Sequence, residues 1–177
     1  MIKGEKVNLR PVEMKDLDMF VVWRNDPASR RNFFTPLLIN PGGQKNWYET
    51  LLTNQNKIIF AVDDLEGNLV GLIGMDNIDW RNQVFEGGPI LFSPEERSKG
   101  YAEESIRLMI NYAFMELNLR RMYVSCFPFN PIVELMMWYG FQEEGVLRLA
   151  VYSQGKFYDK IILAILRDEW MELWHEE

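Results

Sequence analysis

The sequence predicts a mixed α+β domain, and the order of its elements carries that prediction. Two antiparallel strands come early, a strand, a helix and a further strand follow in the middle, and a hairpin closes the chain. With 177 residues, of which 47% are hydrophobic, the chain is long enough for one domain, 1–177, with a sizeable core. We find no internal repeat, linker or low-complexity segment in it.

The N-terminal part predicts two helices that follow an opening strand. The strand is expected at Lys6–Val12, and the helix Met14–Asn25 ends at an Asn-Asp-Pro stop. The segment Ala28–Gly43 is rich in Pro, Asn and aromatic residues, so we expect it to be irregular. A second helix is predicted at Gln44–Leu52, where apolar residues share one side.

The middle of the chain predicts a hairpin and then a broken strand. Apolar runs at Ile58–Val62 and Leu69–Met75 flank a turn of Asp, Leu, Glu, Gly and Asn. The strand Val84–Phe92 contains two glycines and Pro89, which indicate a bulge or break. The remaining predicted elements are a helix with its apolar stripe from Ile106 to Leu117, a strand at Arg120–Phe127, a helix at Asn130–Phe141 ending near Gly140, and strands at Val146–Tyr152 and Phe157–Leu166.

Composition excludes several function classes. A net charge of -7 argues against a general binder of nucleic acid or of anionic membranes, so neither is expected as a partner. Cys126 is the only cysteine, which excludes an intrachain disulfide, and no apolar run is long enough to span a membrane, so a cytoplasmic protein is expected. His175 is the only histidine, so a Ser-His or Cys-His nucleophile pair is not expected, and neither is a bound metal.

The stretch ERSKGYAEES, at 96–105, joins a predicted strand to the most amphipathic helix of the chain. A helix start preceded by glycine exposes main-chain N–H groups, which bind phosphate together with the helix dipole. Gly100 would allow close approach, and Arg97 and Lys99 would add charge. The same pattern also fits a plain glycine turn with solvated basic residues, so the stretch alone leaves both interpretations open.

The pattern Arg97-x-x-Gly100-x-Ala102 resembles the Q/R-x-x-G-x-G/A signature of the GNAT superfamily of N-acetyltransferases. Further stretches resemble the subgroup that acetylates the N-termini of ribosomal proteins (the RimJ/RimL type). They are LRP at 9–11, WRNDP at 23–27, IGMDNID at 73–79, YAFMELNLRRM at 112–122, YGFQEEGVLR at 139–148 and GKFYD at 155–159. The resemblance implies a mostly antiparallel central sheet, splayed in the middle, with helices on both faces.

The resemblance also implies acetyl-CoA as the donor substrate. Its pantetheine arm would lie in a slot between Gly88–Phe92 and Met122–Phe127, where main-chain N–H groups at Gly88–Leu91 would polarise the thioester carbonyl. The residues that would bind it are Leu91, Phe92, Arg97, Ser98, Lys99, Gly100, Tyr101, Ala102 and Asn130. Asn130 fits a plain helix N-cap equally well. A longer acyl-CoA remains an alternative donor.

Glu86 is the candidate catalytic base, because the family carries a glutamate at that place beside the bulge. A solvated carboxylate, or one that orients the substrate amine, is the equal alternative, and Asp76 and Asp79 are lesser candidates. Many family members have a Tyr four residues before the Gly-Phe that closes the fourth helix, but Met136 stands there. Tyr139 is a neighbour on the helix that would point about 100° away from that position. The general acid is therefore unassigned.

The expected function is acetyl transfer to a primary amine by direct attack in a ternary complex. A protein N-terminus and a small-molecule amine are both open as the acceptor, and a homodimer is a possible assembly. Five aromatic residues of the N-terminal part would wall an acceptor pocket or belong to the core: Trp23, Phe33, Phe34, Trp47 and Tyr48. The alternative function is an acyl-CoA-binding sensor or regulatory module on the same fold, without catalysis.

Overall fold

One eight-stranded sheet organises the computed structural model, which describes residues 1–96 and 99–174. The strands are β1 Ile2–Lys3, β2 Val7–Pro11, β3 Ile58–Asp64, β4 Leu69–Asp79, β5 Val84–Phe92, β6 Arg121–Cys126, β7 Gln142–Ser153 and β8 Lys156–Leu166. Their order in the sheet is β1-β2-β3-β4-β5-β6-β8-β7. Among the strands of the described residues, only β5 and β6 pair in parallel, so the predicted mostly antiparallel α+β fold is confirmed.

Helices cover both faces of the sheet and divide the core in two. They are α1 Leu17–Asn25, α2 Pro27–Arg30, α3 Pro41–Thr53, α4 Tyr101–Asn111, α5 Ile132–Trp138 and α6 Arg167–Trp174. The larger core cluster contains buried side chains of α4, α5 and α6, and we call that side of the sheet the α4 face. The smaller cluster contains Leu17, Phe20 and Trp23 of α1, and we call its side the α1 face.

The segment between α1 and α3 is more ordered than its composition predicts. Asp26 accepts a hydrogen bond of 2.9 Å from the main-chain N–H of Ser29, and this cap starts the short helix α2 inside the stretch expected to be irregular. Asn40 accepts one of 2.8 Å from the N–H of Gly43. The second predicted helix therefore begins at Pro41, three residues earlier than expected, because Asn-Pro supplies a cap and a first-turn residue.

Turn and bulge predictions agree with the structure. Between the pairs Ile73–Ile90 and Met75–Gly87, β4 advances by two residues and β5 by three, so β5 carries the predicted bulge. Gly140 ends α5 with a φ of +94°. Gln154 and Gly155 have φ values of +50° and +86° in the turn that closes the last hairpin.

Three further features of the chain differ from the predicted elements. The long predicted helix is α4 followed by a π-helical turn at Tyr112–Glu116, in which the N–H of Leu117 donates to the carbonyl of Tyr112. The C-terminal helix α6 was not predicted, and neither was the short edge strand β1. Within residues 1–96 and 99–174, the structure has no helix of the length and apolarity that a membrane crossing requires.

Candidate active site

Strands β5 and β6 form a fork. They pair only where Val84–Glu86 lies beside Arg121–Tyr123, and no pairing joins the rest of these two described strands. The slot predicted from the family resemblance is therefore present, although its β6 wall begins after Tyr123 rather than at Met122. Such a gap leaves main-chain groups of both strands available to a ligand that adds as an extended strand.

Two glycines allow the strands to approach closely at this fork. A Cβ on Gly87 would lie 2.6 Å from both Met122 Cε and Val124 Cγ1. A Cβ on Gly88 would lie 2.9 Å from main-chain atoms of Gly74 on β4. A side chain at either position would displace its neighbours, so the Gly-Gly pair is required by packing as well as by the bulge.

The loop before α4 has the geometry of an anion-binding helix start. Gly100 is the N-cap with a φ of +79°, a value that L side chains rarely adopt, and no side chain of the described residues caps the first N–H groups of α4. Tyr101 and Ala102 are half-buried in its first turn. The fit is therefore good for a phosphate held by main-chain N–H groups. Two residues predicted to bind it, Arg97 and Ser98, lie outside the described residues.

Charge near this loop differs from the prediction. The Lys99 ammonium lies 2.6 Å from a carboxylate oxygen of Glu96, which raises the pKa of Lys99 and compensates its charge. A second lysine, Lys6 of the β1–β2 turn, comes close instead: its Nζ lies 2.7 Å from where a Cβ on Gly100 would be. A carboxylate oxygen of Glu103 lies 3.1 Å from the same point.

Glu104 ties the N-terminal turn to α4. Its carboxylate accepts hydrogen bonds of 2.8, 2.6 and 2.8 Å from the main-chain N–H groups of Glu5, Lys6 and Val7. Burial by itself would raise the pKa of Glu104, but these bonds and the charge of Arg107 outweigh burial and hold the pKa below its ordinary value. The backbone of Lys6 is thereby fixed beside the start of α4.

Glu86 lies at the point where the fork opens. It pairs with Tyr123 across β6 and with Asp76 across β4, and its neighbour Phe85 is buried on the α4 face. Since side chains alternate along a strand, Glu86 points to the α1 face. Asn77 Nδ2 donates a hydrogen bond of 2.8 Å to Glu86 Oε2, and the Tyr123 hydroxyl lies 3.4 Å from the same oxygen. Burial, followed by the charge of Glu86, raises the pKa of Tyr123.

The two lesser carboxylate candidates have partners of their own. Asp76 forms an ion pair of 2.8 Å with Lys57. Asp79 accepts hydrogen bonds of 2.9 Å from the N–H and 2.7 Å from the side-chain amide of Asn82, which lower the pKa of Asp79. Asp79 therefore holds the β4–β5 turn, whereas Glu86 is the carboxylate at the fork.

Tyr139 does not face the fork. Its hydroxyl donates a hydrogen bond of 2.6 Å to the main-chain carbonyl of Glu103, and its side chain is 2% exposed on the α4 face. Burial raises the pKa of Tyr139 to about 12. Met136 is fully buried in the same cluster, so it replaces the family tyrosine by a core residue.

Leu91, Phe92 and Asn130, the other predicted donor contacts, flank the slot. The side chains of Leu91 and Phe92 are buried in the core, so only their main chain is free to meet a ligand. Asn130 Oδ1 accepts a hydrogen bond of 3.1 Å from the N–H of Ile132. Helix α5 has Pro131 at its N-cap, one residue later than predicted, although Asn130 still supplies the side-chain bond.

Of the five predicted pocket aromatics, Trp23 is buried in the core on the α1 face, and three are partly buried against that core: Phe33, Trp47 and Tyr48. Phe34 alone leaves that cluster and packs edge-on against Phe127, which follows β6, with ring centroids 5.0 Å apart. Phe127 and Phe129 also contact Tyr158 of β8. The segment between α1 and α3 thus reaches the side of the slot through Phe34.

Sequence reasoning missed three residues that surround the site: Lys6, Asn77 and Tyr123. Asn77 has a φ of +50° in a second register shift of β4, a conformation in which asparagine is enriched. The Asp-Asn pair within β4 is therefore a sequence signal for a register shift with a residue of positive φ. Contacts of Lys6 and Tyr123 join residues far apart in the chain, and no local pattern marks them.

Comparison with known proteins identifies the family. A family model described as the acetyltransferase (GNAT) domain matches residues 6–145. The SPbeta prophage-derived uncharacterized N-acetyltransferase YokL of Bacillus subtilis is 29% identical over 167 residues, which cover 94% of this chain and 93% of that protein.

Two solved structures from Vibrio cholerae have the same fold. Spermidine N-acetyltransferase in complex with CoA and spermine aligns with a TM-score of 0.87 at 27% identity, over 93% of this chain and 98% of the other. The dodecameric structure of spermidine N-acetyltransferase aligns with a TM-score of 0.82 at 26% identity, over 96% and 98% of the two chains. The protein described by this sequence belongs to the GNAT family of N-acetyltransferases.

Proposed function

We propose that the protein transfers the acetyl group of acetyl-CoA to a primary amine, with Glu86 as the general base. The observation that carries this proposal is the position of Glu86 at the opening of the β5–β6 fork, with its carboxylate held by Asn77. An acetyl transfer requires three parts. They are a slot for the donor, which the fork supplies, an anion site, which the start of α4 supplies, and a carboxylate beside the slot, which is Glu86.

The donor is held mainly by main-chain atoms. N–H groups at the start of α4 and the nearby Lys6 ammonium bind the pyrophosphate, together with Arg97 and Ser98. The pantetheine arm adds to β5 along Gly88–Phe92, where N–H groups polarise the thioester carbonyl. Asn130 contacts the same arm. Acetyl-CoA supplies the acetyl group as a thioester with a thiolate leaving group.

The residues at the fork prepare the amine for attack. A primary amine has a pKa of about 10, so most of it is protonated at neutral pH. Glu86 takes that proton, directly or through water, and the amine then attacks the thioester carbon. A C–N bond forms and the C–S bond breaks. The nitrogen then loses its second proton, which passes through water to the departing thiolate, because Tyr139 is held away from the fork by Glu103.

Different observations support the two classes of acceptor. The stretches shared with the ribosomal-protein N-terminal subgroup favour a protein N-terminus, and the solved relatives, named for spermidine, favour a small amine. Both are primary amines. Exposed apolar side chains on the β7–β8 hairpin, among them Leu147, Leu149 and Phe157, support a homodimer that covers them. The single cysteine supports a cytoplasmic location.

The test is the release of CoA from acetyl-CoA in the presence of a panel of primary amines and N-terminal peptides. An acetyltransferase releases CoA and forms one acetylated amine for each CoA, which mass spectrometry detects. A sensor module would bind acetyl-CoA without amine-dependent release. If the protein binds acetyl-CoA but no amine or peptide of the panel causes CoA release, the protein belongs to the sensor class.

A further inference from the structure

We propose that the acceptor carries an anionic group, a carboxylate or a phosphate, close to its reactive amine, and that it is not a polyamine. This inference rests on the proposed acetyl transfer, and it names the substrate class of the same site. It follows from the charges that the chain itself places beside the fork on the α1 face.

Strand β8 brings one of these charges, that of Lys160, to the acceptor side. Leu163 and Ile165 are buried on the α4 face, so the alternate residues Lys160 and Tyr158 point to the α1 face, as Glu86 does. Tyr123, beside Glu86, pairs with Ala164 of β8. Lys160 lies four residues from Ala164, or about 13 Å along the strand. An anionic group that extends from the amine along β8 approaches the ammonium of Lys160.

Three aromatic rings near the acceptor side carry a cation of the chain. Lys160 Nζ lies 4.9 Å from the ring centroid of Phe34, and Lys156 Nζ lies 4.7 Å from that of Tyr158. Arg24 Cζ lies 3.8 Å from the ring centroid of Phe33. These three rings are therefore unavailable for a cation–π contact with a cationic acceptor.

These cations are not neutralised. No carboxylate among residues 1–96 and 99–174 forms an ion pair with Arg24, Lys156 or Lys160. The segment 27–48, which contributes Phe33 and Phe34, has no Asp or Glu and contains Arg30, Arg31 and Lys45. The segment 27–48 is therefore positively charged, although the net charge of the whole chain is -7.

Two carboxylates, Asp76 and Glu86, face each other across β4 and β5 at the opening of the fork. Asp76, opposite Glu86, is neutralised by Lys57. Glu86 thus receives one ammonium, and a second ammonium that extends along β8 meets the like charge of Lys160. Like charges at such distances repel, whereas an anion at the same place is attracted.

The test uses amines of equal carbon length that differ only at the far end: γ-aminobutyrate, n-butylamine and putrescine. Calorimetry on the full chain saturated with CoA measures their binding without turnover, and CoA release from acetyl-CoA measures transfer. We expect γ-aminobutyrate to bind most tightly and putrescine to bind at least about tenfold more weakly. Aminopropyl phosphate is the fourth probe, and its affinity relative to γ-aminobutyrate identifies the anion as phosphate or carboxylate.

Lys160→Met should remove most of the preference for γ-aminobutyrate over n-butylamine. Lys15→Met is the control, because Lys15 is exposed and pairs with Glu13 near β2, several strands away from the fork. Putrescine as the tightest ligand, or equal affinities, would overturn the proposal. If the affinities follow the expected order but no CoA is released, anion recognition is supported and the proposed acetyl transfer is contradicted. If putrescine is acetylated in preference to the other amines, acetyl transfer is supported and anion recognition is contradicted.

Discussion

The side-chain amide of Asn77 donates a hydrogen bond of 2.8 Å to the carboxylate of Glu86 at the opening of the β5–β6 fork. This bond comes from a residue with positive φ in the second register shift of β4. It fixes one oxygen of the carboxylate, and in the proposed mechanism the other oxygen takes the proton of the substrate amine. The register shift in β4 thus orients the side chain of Glu86 through Asn77.

Glu86→Gln should lower kcat at neutral pH by roughly 10²–10⁴-fold, because the amide cannot take the proton of the amine. The affinity for acetyl-CoA should change little. Asp79→Asn is the matched control, since Asp79 holds a turn through Asn82 and should retain most of the wild-type kcat. Steady-state CoA release gives kcat for all three proteins. A Glu86→Gln variant with near-normal kcat would leave Glu86 with a structural or solvated role.

Tyr139→Phe should retain more than about a tenth of the wild-type kcat, which corresponds to a loss of at most about 1.4 kcal/mol of transition-state stabilisation. The reason is that the Tyr139 hydroxyl is bonded to Glu103 on the α4 face, away from the fork. Its loss should instead lower the free energy of unfolding by about 1 kcal/mol, because a main-chain carbonyl loses its donor.

Tyr123→Phe removes the corresponding hydroxyl on the other face and is the natural companion variant. It should lower kcat by about tenfold, because the hydroxyl beside Glu86 is lost, with little change in stability. Kinetics and urea denaturation of both variants separate the two roles. A fall in kcat of a hundredfold or more in Tyr139→Phe, at unchanged acetyl-CoA affinity, would place the general acid at Tyr139.

Glu104→Gln should destabilise the fold in a pH-dependent way. The charged carboxylate accepts three main-chain N–H bonds, and bonds to charged groups contribute about 1.5–3 kcal/mol. Since the pKa of Glu104 is lowered in the folded state, the stabilisation is complete above the unfolded pKa of about 4.3 and is lost as pH falls through the lower folded value.

Urea denaturation at neutral pH and below pH 4 measures this effect, with the exposed neighbour Glu103→Gln as control. The difference between wild type and Glu104→Gln should shrink as the carboxylate of Glu104 becomes protonated. The control should stay within about 0.5 kcal/mol of wild type at neutral pH. A difference that does not depend on pH would show that the charge of Glu104 contributes nothing.

Local patterns predicted most of the fold. Three signals of this kind are the apolar runs of β3 and β4, the amphipathic stripe of α4 and the Gln154-Gly155 turn. Each of them depends only on residues that are close together in the chain. Helix α6 has only eight residues, too few to show a helical period, and its order comes from Trp170, which is buried against the sheet.

The candidate site was only partly predictable for the same reason. Glu86 and Gly100 belong to short motifs, so the sequence points to them directly. Lys6 reaches Gly100 only because Glu104 binds a turn that lies 97 to 99 residues away in the chain. Tyr123 reaches Glu86 only through the pairing of β5 with β6. Contacts of this kind depend on the assembled sheet, and the chain carries no local sign of them.

Binding of acetyl-CoA at the loop before α4 underlies every proposed step, and the thermal shift it produces measures that binding directly. Wild-type protein should melt at a higher temperature with acetyl-CoA, because a ligand of the folded state stabilises it. Gly100→Val should lose most of that shift, since valine is strained at a φ of +79° and blocks main-chain approach to the pyrophosphate. Equal shifts in folded wild type and folded Gly100→Val would show that this loop is not the acetyl-CoA site.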